Sequence, residues 1–208
     1  VIPLGIEPAP VSDAALVRAQ FPALGDAPYL VYLSRLDPKK NVEGLLQSFA
    51  MLQPRWPDLR LLVAGDGAPD YVAGLKALAA SLGQTDRVVW AGHVGGALKA
   101  SVLAGALAFV LPSFSENFGI AAAEALMAGK PCILGQGVAI AREVARAGAG
   151  LAVAPDPPSI AAALEHVMAD SQARAIMAGR AMVLARTKYS AQAMGKSLLH
   201  LYSGILRK

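Results

Sequence analysis

The chain has 208 residues, room for one sizeable core but hardly for two independent domains. Hydrophobic residues make up 55% and charged residues 16%, which excludes disorder and suits an α/β domain whose sheet is covered on both faces. The net charge of +4 is scattered, with no Lys/Arg run beyond Lys39-Lys40, so no nucleic-acid partner is expected.

Residues 1–28 carry five prolines, at 3, 8, 10, 22 and 28, and read as a linker-like segment with one short helix near 12–20. Regular alternation starts at Tyr29. Short apolar runs at 29–33, 60–64, 88–91, 107–111, 131–134 and 151–153 predict strands, and helical spacing over about 42–53, 70–82, 96–105, 119–128 and 139–147 predicts the helices between them. Such alternation predicts βαβ units and a parallel, doubly wound sheet. From about 159 to 207 the pattern is helical, broken near Ser171 and near Tyr189-Ser190. No stretch approaches the roughly 18 consecutive apolar residues of a membrane span. The opening VIPLGIEP lacks the basic region and apolar core of a signal peptide. The single cysteine, Cys132, lies in an apolar run; it excludes an internal disulfide and fits a reducing compartment. A cytoplasmic protein is expected.

In an open α/β sheet, ligands bind beyond the carboxyl ends of the strands, so the loops at 34–41, 65–69, 92–95, 112–119 and 135–138 should hold the chemistry. After the first strand, Arg35 and Lys40 flank a proline turn that precedes a helix with Asn41 as its N-cap. Such a loop can fold two cations onto one anion beside a helix N-terminus; a solvated basic turn has the same composition. After the fourth strand comes PSFSENFGIAAAEALMAGKP, with seven residues between Glu116 and Glu124. Glu116 falls in the loop, and Gly119 falls near a helix start, where backbone amides can bind phosphate or sugar oxygens. Glu124 stands nearly alone in an apolar helix, and a carboxylate there needs a hydrogen-bonding partner, such as the hydroxyls of a ribose.

Taken together, S-R-L-x3-K, G-D-G at 65–67, W-A-G-H-V at 90–94 and P-S-x-x-E-x-F-G-x4-E-A-x-x-x-G-x-P resemble the C-terminal, donor-binding domain of group 1 (family 4) retaining glycosyltransferases. The likeness runs in order from about residue 29 to 155, and the opening VIPLGIE is similar to that family's interdomain linker. The resemblance implies a Rossmann-like sheet forming the C-terminal half of a GT-B fold, with a donor domain over 29–188 and a crossover helix over 189–208. It assigns Arg35 and Lys40 to the donor diphosphate, Glu116 to the sugar hydroxyls and Glu124 to the ribose. The backbone amides of Asn117, Phe118, Gly119 and Ile120 would hold sugar and phosphate, with backbone near Val94 and the Gly65 loop lining the nucleoside end. Electrostatic preorganisation at the leaving group is the mechanism implied.

No metal and no cofactor are expected: none of the nine Asp residues forms a D-x-D pair, and His93, His166 and His200 lack ligand spacing. The sequence departs from the family where Ser34 and Asn41 replace customary glycines. It departs again where Gly135-Gln136-Gly137 replaces a G-G-x-x-E loop, so that Glu143 reads as a helix surface residue. His93 reads as a loop residue, and Cys132, Trp56 and Trp90 as structural.

In the family an N-terminal domain binds the acceptor, and here the linker-like sequence begins at residue 1. The expected partners are therefore a nucleotide diphosphate sugar and that missing acceptor-binding domain, through which any peripheral membrane association would run. The terminal helix, with Met194, Leu198, Leu199, Leu201, Tyr202 and Ile205, either crosses back onto the missing domain or packs on its own. A non-catalytic nucleotide-binding module of the same fold is the competing reading. A dinucleotide oxidoreductase is disfavoured because Gly65-Asp66-Gly67 lacks the last glycine of G-x-G-x-x-G.

Overall fold

The six apolar runs become six strands: β1 (Tyr29–Leu33), β2 (Arg60–Ala64), β3 (Val88–Gly92), β4 (Ala108–Leu111), β5 (Cys132–Gly135) and β6 (Gly150–Val153). In the computed structural model, which describes residues 2–7 and 10–206, they form one all-parallel sheet in the order β3-β2-β1-β4-β5-β6. Every residue of β4 and of β5 is buried, so both faces of the sheet centre are covered; this is why these strands read as unbroken apolar runs instead of alternating ones. The expected doubly wound α/β fold is the one observed.

The connecting helices are α1 (Ala14–Gln20), α2 (Val42–Met51), α3 (Pro69–Ser81), α4 (Gly96–Gly105), α5 (Ile120–Met127), α6 (Ala141–Arg146), α7 (Pro157–Ala169) and α8 (Ser171–Leu184). A π-helical turn (Ala185–Tyr189) and α9 (Ala191–Leu206) follow. The predicted break near Ser171 has a local cause: the Asp170 side chain accepts from the amides of Gln172 and Ala173 and starts a new helix. The second break comes where the π turn ends at Ser190 in extended backbone.

One segment differs from its sequence reading, and the terminal helix does not pack wholly on its own domain. Within the linker-like residues 1–28, α1 packs on α4 and, with the turn that follows, buries Val17, Phe21 and Leu24 in the core. Its later prolines are structural too: Pro22 starts a 3-10 turn, and the Pro28 carbonyl accepts the Arg60 amide at the mouth of β2. Proline density alone cannot separate a linker from a capped, packed helix. Within the predicted crossover helix, α9 buries no residue; Leu199, Tyr202 and Ile205 are 70%, 59% and 58% exposed. Its start is tied to the N-terminal segment, since the Ile6 amide donates to the Tyr189 carbonyl at 2.6 Å and the Ala191 amide to the Ile6 carbonyl at 3.1 Å. Val1, Pro8 and Ala9 of the opening, and Arg207 and Lys208 at the end of that helix, lie outside the described residues.

Strand order reverses between β1 and β4. In open α/β sheets, ligands bind at the carboxyl edge beside such a switch point.

Candidate functional site

The loop after β1 is zipped to the loop after β2. The Ser34 amide donates to the Ala64 carbonyl and the Leu36 amide to the Asp66 carbonyl, at 3.1 and 2.8 Å. This approach requires glycine at position 65, where φ is +142° and a Cβ would lie 1.8 Å from the Ser34 carbonyl oxygen. The buried Tyr32 hydroxyl donates to the Arg35 carbonyl at 2.9 Å. Burial pushes that phenol well up from its ordinary pKa, so it stays a donor. The Arg35 backbone is thereby fixed while its side chain is exposed.

Asp37 then accepts from the Lys39 amide and caps a 3-10 turn (Pro38–Lys40). Asn41 follows with φ 57° and ψ 45°, the one non-glycine residue with positive φ among those described. Asparagine tolerates this left-handed conformation, so the position keeps its shape without glycine. Its side chain caps α2 by accepting from the Gly44 amide, as the sequence predicted, and donates to the Pro112 and Pro155 carbonyls. The β1 loop is therefore moored to the β4 loop. Lys40 is buried to 9% exposure, with its ammonium on the Glu116 carboxylate.

Glu116 is set by its backbone: its amide donates to the Gly137 carbonyl, and its carbonyl accepts from the Ala139 amide. The chain then turns at Gly119, whose φ of +89° suits glycine, and enters α5. Among the described residues, no protein acceptor takes the amides of Asn117, Phe118, Gly119 or Ile120. Four free donors thus lie at the positive end of a helix, an arrangement suited to anionic or hydroxyl oxygens. The Phe118 ring packs edge-on against Tyr189, which steadies this loop from below.

Glu124, one turn into α5, is not solvated: its Oε1 accepts from Lys99 Nζ of α4 at 2.6 Å. It lines a cavity of about 370 Å³ with Gly96, Lys99 and Met127. A second cavity, of about 560 Å³, brings Arg35, Gly65, His93, Val94 and Lys99 together at the ends of β1, β2 and β3. Lys99 borders both. The predicted residues therefore fall into three groups: Lys40 with Glu116 beside the free amides, Arg35 with Gly65 and Val94, and Glu124, whose partner Lys99 was not among them. Sequence reasoning missed Lys99, although a signal was there. It is the one charged residue of GALKASVLAG, as solitary in its apolar helix as Glu124 is in α5.

Glu143 is a helix surface residue, as read, but it is not without partners. Its carboxylate accepts from the Tyr189 hydroxyl at 2.5 Å and pairs with Lys188, tying α6 to the π turn beneath Phe118. The partner lies 46 residues away in the chain, so no local pattern announces the contact. Cys132 is fully buried, with its thiol pushed up by burial, and serves as a small core residue. Among the described residues, no group of three or more His, Cys, Asp or Glu side chains gathers, and no helix is long and apolar enough to cross a membrane.

The model of the glycosyl transferases group 1 family matches residues 14–182. Over 185 residues the chain is 30% identical to an alpha-D-kanosaminyltransferase of Streptomyces kanamyceticus, covering 88% of this chain and 47% of that protein. Among solved structures, the sucrose-phosphate synthase from Thermosynechococcus elongatus is similar with a TM-score of 0.82 and 27% identity, over 99% of this chain and 52% of that one. An Anabaena protein solved in complex with UDP-glucose shares the fold, with a TM-score of 0.84 and 22% identity over 96% of this chain and 56% of that one. The chain spans about half the length of the curated relatives it matches.

Proposed function

The chain belongs to the group 1 glycosyl transferases, and on that premise we propose that it is the donor-binding half of a retaining enzyme, transferring a sugar from a nucleotide diphosphate sugar to an acceptor. One observation carries the proposal. Lys40 paired with Glu116 beside four amides without a protein acceptor, Arg35 in a cavity with Gly65 and Val94, and Glu124 paired with Lys99 all lie on the loops and helices that follow the carboxyl ends of the strands.

In this reading the diphosphate lies between Arg35 and Lys40, with its oxygens on the amides of residues 117–120. Negative charge that builds on the departing nucleoside diphosphate is met by groups already in place, so little reorganisation is needed as the bond breaks. Lys40 exchanges its Glu116 partner for phosphate, and the freed carboxylate accepts from donor sugar hydroxyls. Glu124 accepts from the ribose, and backbone near Val94 borders the base. Cationic side chains perform the charge neutralisation, so the proposed mechanism is metal-independent. The acceptor site belongs to an N-terminal domain outside this chain, and the whole enzyme acts in the cytoplasm; any peripheral membrane contact runs through that domain. A UDP-glucose complex of a protein with the same fold supports a nucleotide sugar as the ligand class.

Calorimetry of this chain against UDP, GDP, ADP and their sugars tests the reading. At least one nucleoside diphosphate should bind, with affinity unchanged by EDTA or by added Mg²⁺ or Mn²⁺. A tenfold gain on adding either metal, about 1.4 kcal/mol, overturns the metal-independent part. Absence of binding across the whole panel overturns the donor-site assignment.

A further inference from the structure

Each carboxylate of the seven-residue spacing is held by a cation from another element: Glu116 by Lys40, and Glu124 by Lys99. The second pair has no place in the family resemblance. Its side chains are only 31% and 21% exposed, and Lys99 stands on the wall between the cavity that holds Glu124 and the cavity that holds Arg35 and Val94. Lys99 spends one N–H on Glu124 Oε1, and among the described residues it has no other acceptor. An ammonium has three donors, so two remain for an oxygen in the adjoining cavity. On the carboxylate side, Oε2 has no protein donor among the described residues and is left to accept.

We propose that Lys99 is a positioning and specificity residue for the nucleoside end of the donor: it fixes the Glu124 carboxylate so that the free oxygen accepts from the ribose diol, and its remaining donors face the bound nucleotide. The proposal rests on the donor-site reading above. It makes the preference for ribose over deoxyribose a property of the Lys99–Glu124 pair, since an unanchored carboxylate must be ordered anew on binding. A bridge that merely pinned α4 to α5 would act on stability and leave that preference alone.

The test is calorimetry of the chain with UDP, GDP and ADP and with their 2′-deoxy and 3′-deoxy analogues, in the parent, Lys99→Met, Lys99→Arg, Glu124→Gln and the Lys99→Met/Glu124→Gln double variant. Lys99→Met should weaken binding of the preferred ribonucleotide about tenfold, the scale of one charge-assisted hydrogen bond. Binding of the deoxy analogues should change far less, so discrimination shrinks. Lys99→Arg should restore most of it, and the double variant should discriminate no less than Glu124→Gln alone. Equal losses for ribo and deoxy ligands, or unchanged discrimination, overturn the proposal even where Arg35→Ala still weakens diphosphate binding. A parent that binds no nucleoside diphosphate overturns the donor-site reading and this proposal with it.

Discussion

Arg35 and Lys40 share a loop and a proposed ligand but sit in opposite surroundings, and their substitutions should separate accordingly. Arg35 is exposed and pairs with no carboxylate among the described residues, so Arg35→Ala should leave stability nearly unchanged. Lys40 is almost fully buried against Glu116. Lys40→Ala strands that carboxylate in a half-buried position and should cost about 1–3 kcal/mol in stability. Both should weaken nucleoside diphosphate binding, by about 1.5–3 kcal/mol for a charge-assisted contact and nearer the low end for solvated Arg35. Urea unfolding and calorimetry on the same samples check this. Equal stability loss in both variants would contradict the burial argument, and parent-like diphosphate binding in both would remove the phosphate assignment.

At the scale of elements, the site depends on two moorings. Asn41 combines a left-handed backbone, a cap on α2 and two hydrogen bonds to neighbouring loops. Asn41→Ala loses the cap and both side-chain bonds and holds alanine in the left-handed conformation, and should cost about 2 kcal/mol or more; Asn41→Gly loses the same bonds but suits that backbone, and should cost less. Denaturation midpoints of the two variants give the comparison, and a glycine variant as unstable as the alanine one would argue against the backbone component. The second mooring joins α6 to the π turn through Glu143. Burial pushes this carboxyl up, but the hydrogen bonds from Lys188 and Tyr189 outweigh it and hold the group below its ordinary pKa of 4.5. A folded-state value below the unfolded one gives stabilisation that is complete above the unfolded pKa and is lost as pH falls through the folded pKa. Between about pH 6 and pH 3, the range spanning carboxylate titration, the parent should therefore lose more stability than Glu143→Gln. Parallel pH profiles for the two would show that the contact is energetically silent.

For the whole molecule, two observations point the same way. The chain spans about half the length of its curated relatives, and the outer face of α9 carries Leu199, Tyr202 and Ile205 in solvent. In the proposed function, retaining transfer needs donor and acceptor held together in a dry cleft, of which this chain would supply one wall. The 208-residue chain should fold and bind nucleotide weakly, with no transfer and at most trace donor hydrolysis. Adding the corresponding N-terminal half, fused or in trans, should restore transfer with retention at the anomeric carbon. A product assay on the chain alone is decisive, because efficient transfer to any acceptor would make the second half dispensable.

The sheet, its strand boundaries to within one residue and the loops that bear the candidate site were legible in the chain itself. Central strands buried on both faces must be written as short continuous apolar runs, and the helices between them as longer periodic ones. Glu124 was legible for a related reason, since charge is conspicuous where its surroundings are apolar; Glu116 was legible by its place in the loop after β4. Only the tertiary structure decided who meets that charge. Lys40 lies 76 residues from Glu116, and Lys99 lies 25 residues from Glu124. Contacts of that range depend on which strand borders which and on how two helices cross, and neither leaves a periodic trace along the chain. The same holds for α1 and the turn after it, where a proline-rich composition hid three core side chains, and for Glu143, whose tyrosine comes from 46 residues along the chain. Local patterns dictate elements because hydrogen bonding and side-chain alternation are local; the pairing of charges is settled only when the elements pack.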